Sequence, residues 1–379
     1  MRTAQYKWSR RHDWTPDLAA AGDENQDIVF VFGARSLLRE GELVDQLRSR
    51  LNAACLIGCS TSGEIAGDEV PDDSLVATAV SFEHTRVRIA SVGTTEAGSS
   101  YGAGQRLARQ LSGPSLRHVF VLSDGLGVNG SELAGGLADG VPEGVAITGG
   151  LSGDGTDFSE TWVVADDAAG PQLVAAVGFY GDRLRVGYGS LGGWKPFGPL
   201  RTITRAAGNV LYELDGRSAL DLYRTYLGDH ADRLPGSALL FPLVVTKGEE
   251  DQGVVRTVLS VDERDGSMTF AGDIPQGGTA QFMKTNINDL IDGATGAAEA
   301  SFTGLGRTRP DLALLVSCVG RKLVMKQRIE EEIDAIRDVF GADTKLVGFY
   351  SYGELCPFTQ GDKCRLHNQT MTITAFAEH

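Results

Sequence analysis

Two carboxylates in this sequence stand where an acid is costly to place. Glu64 lies near the end of "LIGCSTSGEI" (56–65) and Glu354 near the end of "LVGFYSYGEL" (346–355), each directly after a glycine and just past a buried-strand pattern. An acid in that position either caps backbone N–H groups or serves a ligand or a proton transfer. Ser60 and Ser62 beside the first, and Ser351 and Tyr352 beside the second, add adaptable donors and acceptors. A weaker third copy, "VAITGGLSGDG" (145–155), puts Ser152-Gly153-Asp154 in the place of Ser62-Gly63-Glu64. Ligands of open α/β sheets gather outside strand carboxyl ends, where these turns fall. The expectation is therefore a ligand-binding cleft formed by Ser60, Ser62, Glu64, Ser152, Ser351, Tyr352 and Glu354, with the two glutamates facing each other. Two carboxylates in one dry site repel, so a cation belongs between them. A bound amine or Arg321 is expected there; Arg321, directly after a strand pattern, also suits a ligand carboxylate, for which its guanidinium fork serves better than Lys195.

Other chemistry finds less support. "GLGVNG" (125–130) spells G-x-G-x-x-G, but the helix after it is glycine-loosened and the expected acid is misplaced, so it reads as a turn. G-x-S-x-G, G-K-[ST] and H-E-x-x-H are all absent, and no catalytic residue is assigned. Cys318, Cys356 and Cys364 have no zinc-finger spacing, which favours buried thiols over a metal set. Of the six histidines, His84 falls in a strand-to-strand turn and His118 at a strand entrance, both expected at the surface.

The elements that hold these turns repeat. "DIVFVFGA" (27–34) is a buried strand, followed by a helix with Leu43, Leu47 and Leu51 on one face, and then by the first turn. "DLALLVSCVGR" (311–321) is the matching strand near the end of the chain. Its helix carries Ile329, Ile333, Ile336 and Phe340, with Gly341 at its end. The middle unit is "HVFVLSDG", a helix over "SELAGGLADGV", and "VAITGGLSGDG". Pairs of strands, 75–93 and 173–190, follow the first two units. The expected fold is α/β, with mixed sheets built from repeated strand–helix–strand units followed by antiparallel hairpins, in two repeat-related halves. "GNVLYELDG" and the helix after it divide those halves. The expected domains are a lead-in (1–26), an N-terminal sensory domain (27–207) and a C-terminal domain (208–379).

Composition narrows the class. The chain has 379 residues, 42% hydrophobic and 22% charged, with 49 glycines, which is globular with many tight turns. A formal charge of −15 argues against nucleic acid and anionic membranes. No apolar run reaches bilayer length, and the five cysteines form no paired framework, so a cytoplasmic protein is expected.

Seven ordered motifs, "GCSTSGEI", "GGLSGDG", "GWKPFGP", "GNVLYELDG", "SCVGR", "GFYSYGEL" and "LHNQTMT", resemble the FIST proteins over roughly 27–374. The resemblance implies a sensory, ligand-binding protein, not an enzyme, that signals to a separate histidine kinase or other partner. It also points to a stand-alone bacterial subgroup that carries haem and responds to nitric oxide. His367, inside "LHNQT", is then the expected axial ligand, in a non-covalent site because no C-x-x-C-H is present. Two other readings stay open: an enzyme using Glu64 or Glu354 as acid or base, and an interaction module without a ligand.

Overall fold

Apolar runs with no polar alternation need both faces covered, and the chain answers with three sheets whose inner faces meet. The computed structural model describes residues 1–21, 25–248 and 253–378. The chain opens with β1 (Arg2–Ser9), and unit one follows: β2 (Ile28–Gly33), α1 (Arg35–Glu40), α2 (Glu42–Arg50), β3 (Leu56–Ser60), the short β4 (Glu64–Ala66) and β5 (Ser74–Ser81). After β6 (Arg86–Gly93) and α3 (Ser100–Leu111) comes unit two: β7 (Leu116–Ser123), α4 (Gly130–Gly140), β8 (Ala146–Leu151), the short β9 (Val163–Ala165) and β10 (Leu173–Tyr180). β11 (Leu184–Leu191) leads into an inserted antiparallel sheet of eight strands, spanning residues 195–284 and carrying α5 (Ala219–Leu227). Unit three comprises α6 (Ile287–Gly304), β12 (Leu312–Cys318), α7 (Val319–Met325), α8 (Glu330–Phe340) and β13 (Lys345–Ser351). It ends with β14 (Gly353–Pro357), β15 (Cys364–His367) and β16 (Met371–Glu378).

The three sheets share one strand order. They contain β9-β3-β2-β5-β1, β14-β8-β7-β10-β6 and β4-β13-β12-β16-β11, respectively. In each, a unit's two main strands pair in parallel, and the strand beyond them comes from a different unit. β4 of unit one joins β13 of unit three, β14 of unit three joins β8 of unit two, and β9 of unit two joins β3 of unit one. The exchange closes a ring, giving a pseudo-threefold body. The successive strands β5 and β6 pair into neighbouring sheets, as do β10 and β11.

Side chains alternate between two cores. Phe30 and Phe32, Phe120 and Leu122, and Leu314 and Val316 point into one central core, where Phe32 stacks on Phe349 at 4.8 Å. Val29 and Val31 face the Leu43 and Leu47 stripe of α2, while Leu315 faces the Ile333, Ile336 and Phe340 stripe of α8. Both helix stripes expected from the sequence are buried. The inserted sheet has its own core, with Tyr223 of α5 against Phe282 at 4.8 Å. Its strands Lys195–Ala207 and Val210–Leu214 pair across residue 207. His118, expected at the surface, is fully buried: it shares the inward parity of Phe120, and its ring lies 5.8 Å from that of Phe376.

One glycine recurs at the same place in all three units. Gly58, Gly149 and Gly348 sit opposite Val31, Val121 and Leu315, and a Cβ would lie 2.0, 1.9 and 1.8 Å from those residues' carbonyl oxygens. The parallel strands approach too closely there for any side chain. Gly348→Ala is expected to cost about 3 kcal/mol or more, because backbone on both strands must part. A urea melt superimposable on the parent's would refute that close approach.

Candidate functional site

The three turns converge. Gly153 N–H donates to Ser60 O (2.9 Å), Ser62 N–H to Tyr350 O (2.8 Å), Tyr350 N–H to Gly63 O (2.8 Å) and Tyr352 N–H to Leu151 O (3.1 Å). Tyr352 also donates its hydroxyl to Asp154 and stacks on Phe158 at 4.6 Å. The structure therefore brings the predicted turn residues together, but they close on one another. Ser60 Oγ accepts from Trp162 N–H (2.9 Å), Ser62 Oγ from Gly155 N–H (3.1 Å), and Ser152 donates to Ser123 O (2.8 Å). Their hydroxyls are taken by the fold.

The glutamates occupy two separate niches of the same design. Thr61 donates to Glu64 Oε1 at 2.5 Å, and Ser351, three residues before Glu354, donates to Glu354 Oε1 at 2.5 Å. The second oxygen is bonded from afar: Ser74 donates to Glu64 Oε2 at 2.6 Å, while Thr370 N–H and Oγ1 reach Glu354 Oε2 at 3.1 and 3.0 Å. Burial pushes Glu64 up to about 7, with the Ser74 and Thr61 hydroxyls pulling the other way. Burial likewise pushes Glu354 up to about 8 against the pull of Ser351 and Thr370. Asp154, unit two's counterpart, behaves differently. Its burial penalty is outweighed by the Glu160 N–H, the Tyr352 hydroxyl and Ser159, so its carboxyl sits below the usual range. Arg35 pairs with it at 2.7 Å.

Arg321 does not stand between the glutamates. It is fully buried, with its guanidinium on Glu332 (2.7 and 3.1 Å), Gly192 O (2.6 Å) and Leu290 O (2.8 Å). All three of its nitrogens are engaged, by helix α8, the first turn of α6 and the chain just after β11, which corrects its assignment as a ligand-holding cation. Lys195 pairs with Asp289 at 2.6 Å on the surface. Asp124 accepts from Leu126 and Gly127 N–H inside the glycine-rich turn, so those amides do not point at a phosphate.

His367 is a buried β15 residue whose Nε2 donates to Cys356 O at 2.9 Å, with Phe358 edge-on at 4.6 Å. Burial lowers its pKa to about 4, so the ring is neutral. A haem iron needs a free imidazole nitrogen facing an apolar slot. With Nε2 bonded to backbone and the ring enclosed, this arrangement does not fit that group. Cys318, Cys356 and Cys364 are buried, and burial pushes their thiols up.

Two open clefts lie elsewhere, on either side of the 358–363 turn. One, about 780 Å³, is walled by Val245, Val254 and Arg256 of the inserted sheet and by Gly135, Phe358 and Leu366 of the body. The other, about 680 Å³, lies between α4 and β11 and shares Asp139, Lys363 and Cys364 with the first. None of the predicted site residues lines either one.

A FIST N domain model matches residues 27–217, and a FIST C domain model matches residues 219–357. The chain belongs to the FIST family. The two matches cover most of the chain in the order expected, and they divide it within the inserted sheet, just before α5. FIST domains are associated with sensing in signal transduction. No curated protein gives a significant match. Among the described residues, no helix is long and apolar enough to cross a membrane.

Sequence reasoning missed Arg256, which sits in an unmarked "GVVRTV" strand and reaches from the inserted sheet to Leu366 O at 3.0 Å. It quoted Asn368 and Gln369 within "LHNQT" but assigned them no role. Their fully buried amides were the available signal, and burial is not written in a loop of five residues.

Proposed function

We propose that this FIST protein is a ligand-binding sensory component of signal transduction, with its small molecule seated in the cleft of about 780 Å³ between the inserted sheet and the body. The observation that carries this reading is that both structural units wall the cleft. A ligand touching both changes how they pack, which gives sensing a mechanical output. The repeated turns support the site without lining it. Glu354 on β14 faces His367 on β15, and the same hairpin presents Leu366 to the cleft. The output passes to a separate histidine kinase or other signalling protein, in a cytoplasmic setting that suits five free thiols. An acid–base enzyme is less favoured, because both glutamates are buried and hydrogen-bonded away from either cleft.

Gly135 offers a clean test. It lies on α4 at the cleft wall, and a Cβ there meets only the Tyr101 ring, at 3.7 Å. Gly135→Trp is expected to fold normally and to abolish the thermal shift given by metabolites selected against the parent. Hits that shift both proteins equally would move the site out of this cleft. A Soret band that appears on haem addition and disappears in His367→Ala would overturn the reading of His367.

A further inference from the structure

A buried histidine with an unused nitrogen stands on the wall of the second cleft. That cleft, about 680 Å³, lies at the seam where the sheet of β7 and β8 meets the sheet of β11 and β16. His118 of β7 lines it together with Ala146, its register partner on β8, and with Leu184, Val186 and Tyr188 of β11. The His118 ring is T-shaped to Phe376 of β16 at 5.8 Å, and Phe376 is in turn the register partner of Val186. The imidazole itself is therefore at the seam that the cleft enters. Among the described residues its Nδ1 has no hydrogen-bond partner, a costly state for a fully buried group.

Two threonines decide what that nitrogen offers. Thr374 donates its hydroxyl to Thr148 Oγ1 at 2.6 Å, and Thr148 Oγ1 lies 2.8 Å from His118 Nε2. The Thr148 proton has no other acceptor among the described residues, so it goes to Nε2, and the ring carries its own proton on Nδ1. Burial lowers the His118 pKa to about 3, so that Nδ1–H is a neutral donor. Tyr188 adds a second donor to the same cleft. Its hydroxyl oxygen accepts from Gly361 N–H at 3.0 Å, while its proton meets no acceptor among the described residues. Ala138, Val141, Val145, Ile147, Leu184 and Val186 make the rest of the wall apolar. A carboxylate would meet Asp139, Glu143 and Asp362 there, and the cations Arg117 and Lys363 are already paired with Asp182 and Asp139. Neutral donors on an apolar wall suit a neutral acceptor.

We propose that this second cleft binds a neutral carbonyl compound with an apolar body, such as a ketone or ester, whose oxygen accepts the Nδ1–H of His118, with the Tyr188 hydroxyl as a further donor. The site is separate from the cleft against the inserted sheet. It stands whether or not that larger cleft holds the sensed ligand.

Acetophenone and α-methylstyrene share one shape and differ in a carbonyl oxygen against a methylene group, which makes them suitable probes. In protein carrying isotope-labelled histidine, free His118 is expected to show its proton on Nδ1. Acetophenone is expected to shift that Nδ1–H resonance and the backbone amides of 141–147 and 184–188. α-Methylstyrene is expected to bind about tenfold more weakly, the equivalent of one lost hydrogen bond, and to leave the Nδ1–H resonance in place. His118→Phe should close most of the gap between the two probes. Tyr188→Phe, which keeps the ring and leaves the threonine contacts intact, should narrow it and serves if His118→Phe does not fold. Gly135→Trp should bind acetophenone as the parent does, because residue 135 lines only the larger cleft. Equal affinity of the parent for both probes overturns the proposal, as does a His118 proton found on Nε2. An absence of shifts at the solubility limit of acetophenone overturns it too, since water would then serve Nδ1. Loss of acetophenone in Gly135→Trp would place the compound in the larger cleft and overturn this site alone.

Discussion

Glu332→Ala is expected to lower folding stability by about 3–5 kcal/mol, because it strands a fully buried arginine. Arg321 and Glu332 are both inaccessible to solvent and meet at 2.7 Å. Glu332 also accepts from the Tyr350 hydroxyl at 2.6 Å and from Ser317 at 3.2 Å. Four elements are thereby tied together: β12, α7, α8 and β13. Removing the carboxylate leaves the guanidinium with two backbone carbonyls and no counter-charge. The double replacement Arg321→Met with Glu332→Leu is expected to recover part of that loss, since both desolvation costs vanish while the two hydroxyls lose their acceptor. Urea melts of the single and double variants form the cycle that checks this. A loss below about 1 kcal/mol for Glu332→Ala would mean that water reaches the pair and that Arg321 is available to a ligand after all.

That pair shows where the sequence was legible and where it was not. The strands, the helix stripes and the repeated turns follow from local patterns of three to ten residues, and the structure contains them. Glu332 had a local signal too. It falls three residues after Ile329 and four before Ile336, inside the apolar stripe of α8, where an acid must have a buried partner. Arg321 was visible, but its partner was not, because pairing across two helices depends on how they pack. The ring of exchanged edge strands was hidden for the same reason. Nothing in "GEIA" states that β4 will leave unit one and pair with Phe349 of unit three. The expectation of two glutamates sharing one cleft failed at this step. Strand exchange carries Glu64 to the edge strand of one sheet and Glu354 to the second strand of another, each into its own hydroxyl niche.

Those niches make stability depend on pH in a way that isolates Glu354. Its pKa rises from an ordinary 4.5 to about 8 on folding, so between those values the folded chain holds a proton that the unfolded chain has released. Its contribution is therefore fully present below about pH 4.5 and is lost as pH climbs towards 8, by on the order of 5 kcal/mol at about 1.4 kcal/mol per pH unit. Glu64, raised to about 7, acts in the same direction over a narrower span. His118 and His367 oppose both: lowered to about 3 and about 4 by burial, they add stability as pH rises towards 6.5. The parent is expected to be nearly level from pH 5 to 6.5 and then to decline towards pH 8, where only the glutamates titrate. Glu354→Gln keeps the geometry. Its amide oxygen takes the Thr370 N–H and hydroxyl, and its NH2 replaces Oε1 beside Ser351, whose hydroxyl must turn from donor to acceptor. The variant is expected to match the parent within about 1 kcal/mol at pH 5 and to exceed it by several at pH 8, as measured by urea melts at each pH. A difference that stays constant with pH would place the Glu354 carboxylate in contact with water and end the buried-acid account. With its pKa at about 8, Glu354 is mostly protonated at neutral pH, so the turn it closes is held by hydrogen bonds and carries little negative field. Raising the pH loosens β14, and with it the β15 hairpin that walls the cleft. Ligand binding should therefore weaken above pH 8 in the parent and not in Glu354→Gln.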